Sequence, residues 1–224
     1  MSRGAAIAVS LVIGLAAPLS AWGAMAGVET FDADTAGFVG NTTSSTVVHV
    51  AAGGNPDGHI QTRKDLSPPV FDIGALTLRP EFTGDYAAAG IVAASVDLNF
   101  MTDNIDAAWL RFRSSTDVNG WRHSLADSFV TNSWATYSVV FDPAWSDAQA
   151  MAAGWMMDHA IDNNVPMSPA FASVMADVYS AEVRIASVGS TIVGIDNFTL
   201  RVPEPTTLAF GAAVLGLASI RRRR

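Results

Sequence analysis

The chain has 224 residues, 50% hydrophobic and 15% charged, so it holds enough apolar material for one large core and is no disordered chain. Thirteen basic against twenty-one acidic residues give a net charge of −8, which excludes a general nucleic-acid binder, whose phosphate contacts need a basic surface. With no cysteine there is no disulfide framework, thiolate zinc site or cysteine nucleophile.

The mean hydropathy of +0.27 is high for a water-facing domain, and the excess lies at the two ends. Met1, Ser2 and Arg3 precede an apolar run from Ala5 to Ala17, and Ala24-Met25-Ala26 offers the small residues that signal peptidase reads. This predicts a signal peptide over residues 1–26, cleaved after Ala26. The apolar run is too short for an anchor, which needs roughly 20 residues to span a bilayer.

Residues 27–201 read as one all-β domain, an antiparallel β-sandwich of jelly-roll type with one or two short helices. Period-two alternation carries that reading. From Ile91 to Phe100, Val92, Ala94, Val96, Leu98 and Phe100 share a face opposite Ser95, Asp97 and Asn99. Leu110 and Phe112 point away from Trp109, Arg111 and Arg113, and Tyr137, Val139 and Phe141 line one side of Trp134–Phe141. Thr46–Val50, His59–Thr62, Trp121–Ala126, Ala181–Ser187 and Ile192–Val202 are further strands. Turn clusters at Gly53–Gly58, Ser67–Pro69 and Val118–Gly120 separate them. Ser146 caps a predicted helix over Asp147–His159 that turns Met151, Trp155 and Met156 to one side, and Ser168-Pro169 opens a second, short one to about Ala176.

After this domain come Val202, Pro203, Glu204 and Pro205, an uncharged stretch from Thr206 to Ile220, and Arg221, Arg222, Arg223 and Arg224. The prolines leave the last strand as an extended linker, and fifteen residues would cover roughly 22 Å as a transmembrane helix. The terminal arginines stop it on the cytoplasmic side. This tripartite segment, residues 202–224, resembles the PEP-CTERM sorting signal. The resemblance implies recognition by an exosortase of a Gram-negative bacterium that makes exopolysaccharide. The protein would be held transiently in the inner membrane, then passed to the outer envelope or extracellular matrix.

Removing both ends leaves eight basic and twenty acidic residues, a net charge of −12. The domain also resembles galactose-binding-like or laminin-B-like jelly rolls, through Glu29–Asp32 with Gly37-Phe38, Gly54–Gly58, Trp134–Tyr137 with Phe141 and Trp145, and Gly194–Leu200. That resemblance implies a structural calcium ion held by Glu29, Asp32, Asn55, Asp57 and Asp196. The plainer reading has the asparagine and aspartates making turns and Asp196 capping a backbone amide.

Sugar sites pair an aromatic face with hydrogen-bonding side chains. Trp109, Arg111 and Arg113 on one strand face, joined by Trp121 and His123 from a hairpin partner, could grip an acidic glycan. The arginines could instead pair with Asp97 or Asp103 on a neighbouring strand. Trp134, Tyr137 and Trp145 read as core or core edge. There is no Gly-x-Ser-x-Gly, His-Glu-x-x-His or phosphate loop, and His49, His59, His123 and His159 lack ligand spacing. The sequence therefore predicts an exported, non-enzymatic envelope or matrix protein, binding or structural in association with exopolysaccharide. Its alternative is a carbohydrate-binding module with a defined glycan site, and a polysaccharide-acting enzyme ranks third.

Overall fold

The computed structural model describes residues 25–43, 45–64, 72–114, 119–158 and 169–203. Residues 1–24 of the predicted signal peptide, and Glu204, Pro205 and the arginine cluster of the tail, lie outside them. In chain order, β1 (Met25–Glu29), β2 (Val39–Gly40), β3 (Thr46–Val50), β4 (His59–Lys64) and β5 (Ile73–Thr77) lead to a 3-10 turn at Pro80–Phe82. One helical turn, α1 (Tyr86–Ala89), precedes β6 (Ala93–Phe100), β7 (Ile105–Arg113), β8 (Gly120–Ser124) and β9 (Trp134–Val140). Then come α2 (Asp147–Ala152), β10 (Trp155–Asp158), α3 (Phe171–Met175), β11 (Ser180–Ser187) and β12 (Thr191–Arg201).

The strands form two six-stranded antiparallel sheets. The first runs β3-β4-β12-β6-β9, with β1 also on β12, and the second β10-β8-β7-β11-β5-β2. Strand β12 is long enough to hold two neighbours on one edge: β4 pairs with its first half, Ile195 opposite Ile60, and β1 with its second, Phe198 opposite Glu29. Period-two alternation buries Val96, Leu98 and Phe100 of β6 against Leu110 and Phe112 of β7 and Val183 and Ile185 of β11 between the sheets. Aromatic rings close both ends of this core. Phe31 and Phe82 meet Phe38 edge-on at 4.9 and 6.0 Å, and Phe82 meets Phe198 at 5.3 Å. Elsewhere Phe112 stacks on Trp155 at 5.7 Å, and Phe171 packs on Trp155 at 5.2 Å.

The predicted β-sandwich is the fold observed; the predicted helices are shorter. Ser146 does cap α2, in a reciprocal box with Gln149, but the helix stops at Ala152. Gly154, at φ +93°, turns the chain back, and Trp155–Asp158 joins the second sheet as an edge strand beside β8. Spacing alone could not separate these outcomes, because Trp155 is buried either way. The second helix starts at Phe171 rather than at Pro169, with no side-chain cap at Ala170. At the other end of the domain β12 finishes at Arg201, Val202 packs against the core, and Pro203 is exposed.

Candidate functional site

The outer face of the second sheet carries an array of charges. Strand β7 puts Trp109, Arg111 and Arg113 on that face as the alternation requires. The hairpin register, however, sets Arg122 opposite Arg111, and Trp121 and His123 opposite the core-facing Phe112 and Leu110. Trp121 and His123 are therefore not part of the predicted cluster. Trp121 is fully buried, donates its indole N–H to the Pro169 carbonyl at 2.9 Å and packs edge-on against Phe171. His123 lies against Trp155, its ring nitrogens 2.6 and 3.1 Å from the carbonyls of Ser124 and Ala153. A register offset by one residue turns every side chain to the other face.

Arg111 and Arg113 are 5% and 8% exposed and belong to an ion-pair network rather than to an open grip. Arg113 Nε meets Glu182 Oε1 at 2.5 Å, and Arg111 bridges Glu182 at 3.1 Å and Asp158 at 2.5 Å. Asp158 also holds Arg184 at 2.8 Å, and Arg184 reaches Asp72 at 2.6 Å. Burial lowers the pKa of the Arg113 guanidinium; Glu182 opposes that effect and Arg111 adds to it. The partners are thus Glu182 and Asp158, not Asp97 or Asp103. Trp109 stands at the margin of the network, with the Arg122 guanidinium 4.4 Å from its ring centre. Sequence reasoning missed Arg122, Asp158, Glu182, Arg184 and Asp72. A usable signal was present in β11, where Glu182 and Arg184 alternate with Ala181, Val183 and Ile185.

The five predicted calcium donors come together only in part. Asp196 is fully buried on β12; its Oδ2 accepts the Asn55 N–H at 2.6 Å and its Oδ1 the Asn197 N–H at 2.7 Å. Asn55 and Asn197 each donate a side-chain N–H to Asp97, at 3.0 and 2.7 Å. This ties the loop 51–58, which includes Asp57, down onto β12 and β6. Burial pushes the Asp196 carboxyl up to about 6; Asp97 and Asp32 add to the shift and the two backbone N–H bonds oppose it. Glu29 instead pairs with Arg79 and accepts the Phe31 N–H at 3.0 Å, while Asp32 accepts the Thr30 hydroxyl at 2.7 Å. Among the described residues no group of three or more acidic or histidine side chains is placed to hold a metal ion. This arrangement of Asp196 is the amide-capping one.

On the outer face of the first sheet the structure corrects another expectation. Tyr137 and Trp145 do pack against the core, but Trp134 lies outside it. Its indole crosses β6 to lie over Gly194 of β12, where an added Cβ would come within 2.8 Å of Trp134 Cη2. The indole N–H donates to the Gly53 carbonyl at 2.9 Å, and His59 meets the ring edge-on at 5.3 Å. Elsewhere a cleft of about 220 Å³ opens between the β6–β7 turn and the β8–β9 loop, with Asp103, Asp106 and Asp127 beside Phe129.

No family model matches the chain, and no curated protein matches its sequence. Among solved structures it is similar to the family 11 carbohydrate-binding module from Clostridium thermocellum in complex with a β-1,3-1,4-mixed-linked tetrasaccharide. That match has a TM-score of 0.51 and 12% identity, over 80% of this chain and 95% of the other. The solution structure of CtCBM11 gives a TM-score of 0.52 at 14% identity, over 82% and 98% of the two chains. An exo-β-agarase matches with a TM-score of 0.50 at 12% identity, over 84% of this chain but 25% of its own. Identities this low show the fold alone. The molecule is a jelly-roll β-sandwich of the architecture found in carbohydrate-binding modules.

Proposed function

We propose that this protein is a non-catalytic carbohydrate-binding module of the cell envelope or matrix, with its glycan site on the outer face of the second sheet. The observation that carries the reading is Trp109 beside Arg122 on a sheet face whose other polar groups are locked together by ion pairs. A half-buried indole supplies a stacking surface, and Arg122 and Arg184, the part-exposed guanidinium groups held by the network, supply hydrogen-bond donors without a large ordering cost. Because Arg111 and Arg113 are buried in ion pairs with Glu182 and Asp158 and present no open guanidinium to a carboxylate, the face suits an uncharged glycan better than an acidic one. The likeness in fold to modules that bind sugars supports the class. Titration with a mixed-linkage β-glucan oligosaccharide tests it: Trp109→Ala should weaken binding at least tenfold with an unchanged melting midpoint. Binding unaffected by that change refutes the site, and turnover of any polysaccharide refutes the non-catalytic assignment.

Export and PEP-CTERM sorting, with signal peptidase and exosortase as processing partners and exopolysaccharide as the surroundings, belong to the same proposal. Met25 of β1 pairs with Arg201 of β12, so the two ends of the domain leave from the same edge. Cleavage after Ala26 keeps the pairing of Gly27–Glu29 with Phe198–Leu200, so the mature strand survives processing. Mass spectrometry of the protein from its native host should find a chain beginning at Gly27 and ending near Pro203–Pro205. An intact chain from Met1 to Arg224 refutes the sorting reading.

A structural calcium ion, implied by the jelly-roll resemblance, is a separate proposal; with no carboxylate cluster grouped among the described residues, backbone oxygens of the loop 53–58 would have to supply most of its ligands. A melting midpoint that rises with added calcium and falls with chelator is its expected signature; identical midpoints in both refute it.

A further inference from the structure

The outer face of the first sheet carries a second surface with the chemistry of a sugar site. Trp134 is fixed there on three sides, by Gly194 beneath it, by the Gly53 carbonyl on its N–H and by the edge of His59. Asn99, the cross-strand partner of Trp134, and Gln61, the cross-strand partner of Gly194, flank the indole on the same face. From there a polar strip runs along β4. Gln61 Nε2 lies 3.1 Å from His59 Nε2, and Gln61 Oε1 accepts two N–H bonds from Arg63, at 3.0 and 2.5 Å. Two polar atoms of this surface, His59 Nδ1 and Asn99 Oδ1, are buried with no hydrogen-bond partner among the described residues, and His59 itself is 2% exposed.

The charges of this face are arranged differently from those of the Trp109 face: Asp97 and Asp196 are buried beneath the loop 51–58 and capped by Asn55 and Asn197, while Arg63 is part-exposed. All four arginines of the second sheet face a carboxylate. Arg63 leans only on the neutral amide of Gln61, and among the described residues no carboxylate pairs with it. A guanidinium held by a neutral acceptor keeps its full charge and further N–H donors for a planar anion. Arg63 lies two residues beyond Gln61 on the same face of β4, roughly 7 Å along the strand.

We propose that the outer face of the first sheet binds an acidic polysaccharide, one uronate-bearing chain stacking a ring on Trp134 and presenting a carboxylate to Arg63. The inference rests on the carbohydrate-binding reading but names a different face and the opposite charge class of glycan.

Titration of the whole domain with oligogalacturonate, alongside the neutral mixed-linkage oligosaccharide, tests both. Wild type should bind the uronate, and more weakly as salt rises. Arg63→Gln should weaken uronate binding about tenfold and leave neutral binding alone, the loss expected of one charge-assisted pair. Trp134→Ala should abolish uronate binding, while Trp134→Phe, which keeps a stacking ring, should retain part of it and controls for misfolding. Trp109→Ala should leave uronate affinity unchanged. Uronate binding indifferent to Arg63→Gln and to both Trp134 variants overturns the inference, as does uronate binding lost with Trp109. If the neutral glycan binds and the uronate does not, this inference alone falls. If neither binds, the carbohydrate-binding reading falls with it.

Discussion

Asp196 and His59 each lie one residue beyond the Ile195–Ile60 pair of β12 and β4, and burial acts on them in opposite directions. The Asp196 carboxyl is held near 6 in the folded protein, above its ordinary 3.8. The folded state therefore takes up the proton more readily than the unfolded chain does, and the stability this contributes is fully present below about pH 4 and lost as pH rises through about 6. In chelator-treated protein, urea unfolding should show wild type gaining on Asp196→Asn as pH falls from 7 to 4.5; a pH-independent difference contradicts the shift. Burial, with His49 adding to it, holds His59 below its ordinary 6.5. The folded state therefore takes up this proton less readily than the unfolded chain does, so His59 costs stability as pH falls below about 6.5. Wild type should accordingly lose ground to His59→Gln as pH falls from 7 to 5.5, and equal loss in the variant would count against it. On the second sheet, Glu182 faces two guanidinium groups with no exposure to water. Glu182→Gln should cost about 3–5 kcal/mol in equilibrium unfolding, because it leaves buried positive charge without its partner.

At the scale of elements, the β7–β8 hairpin and the α2–β10 corner decide what the second sheet presents. In the hairpin, register alone turns Trp121 and His123 inward and Arg122 outward. At the corner, Gly154 has a left-handed backbone and sits against His123, with an added Cβ 3.0 Å from Nε2. Gly154→Ala should destabilise the fold by about 1–2 kcal/mol from backbone strain, measured by denaturant midpoint. It should also weaken neutral-glycan binding, because β10 carries Asp158 to Arg111 and Arg184. Alternation was readable in β6, β7, β9 and β12, which run seven to eleven residues each. It was silent for β2, with two residues, and for β10, whose Trp155 fits a helix face equally well.

At the scale of the molecule, the two sheets give the domain two outer faces of different charge. One is a closed array of paired ions beside Trp109; the other holds an indole, the buried Asp97 and Asp196 and an arginine that meets no carboxylate among the described residues. Both lie on a domain whose net charge is −12, so an acidic polymer can approach only where the local field is positive. The first strand begins where the last one ends, Met25 lying opposite Arg201. Saturating the domain with a true ligand should raise its melting midpoint, and the two oligosaccharides should do so additively if they occupy separate faces. Mutual exclusion would mean a single shared site.

The sequence by itself determined the sandwich class, because alternating side chains can be buried between sheets in only a few ways. It also put Trp109, Arg111 and Arg113 on one face, since they sit two residues apart on one strand. It drew Asn55 and Asp196 into one group, through a resemblance whose motifs both carry. Only the tertiary structure decided which strands lie side by side, and that decision set the chemistry. Pairing β11 and β10 around the β7–β8 hairpin supplied Glu182 and Asp158 to arginines that otherwise looked available for ligand. Pairing β6 with β9 and β12 carried Trp134 across to Gly194 and out of the core. Contacts between residues 42 and 141 positions apart depend on register and strand order, and neither is written in local periodicity.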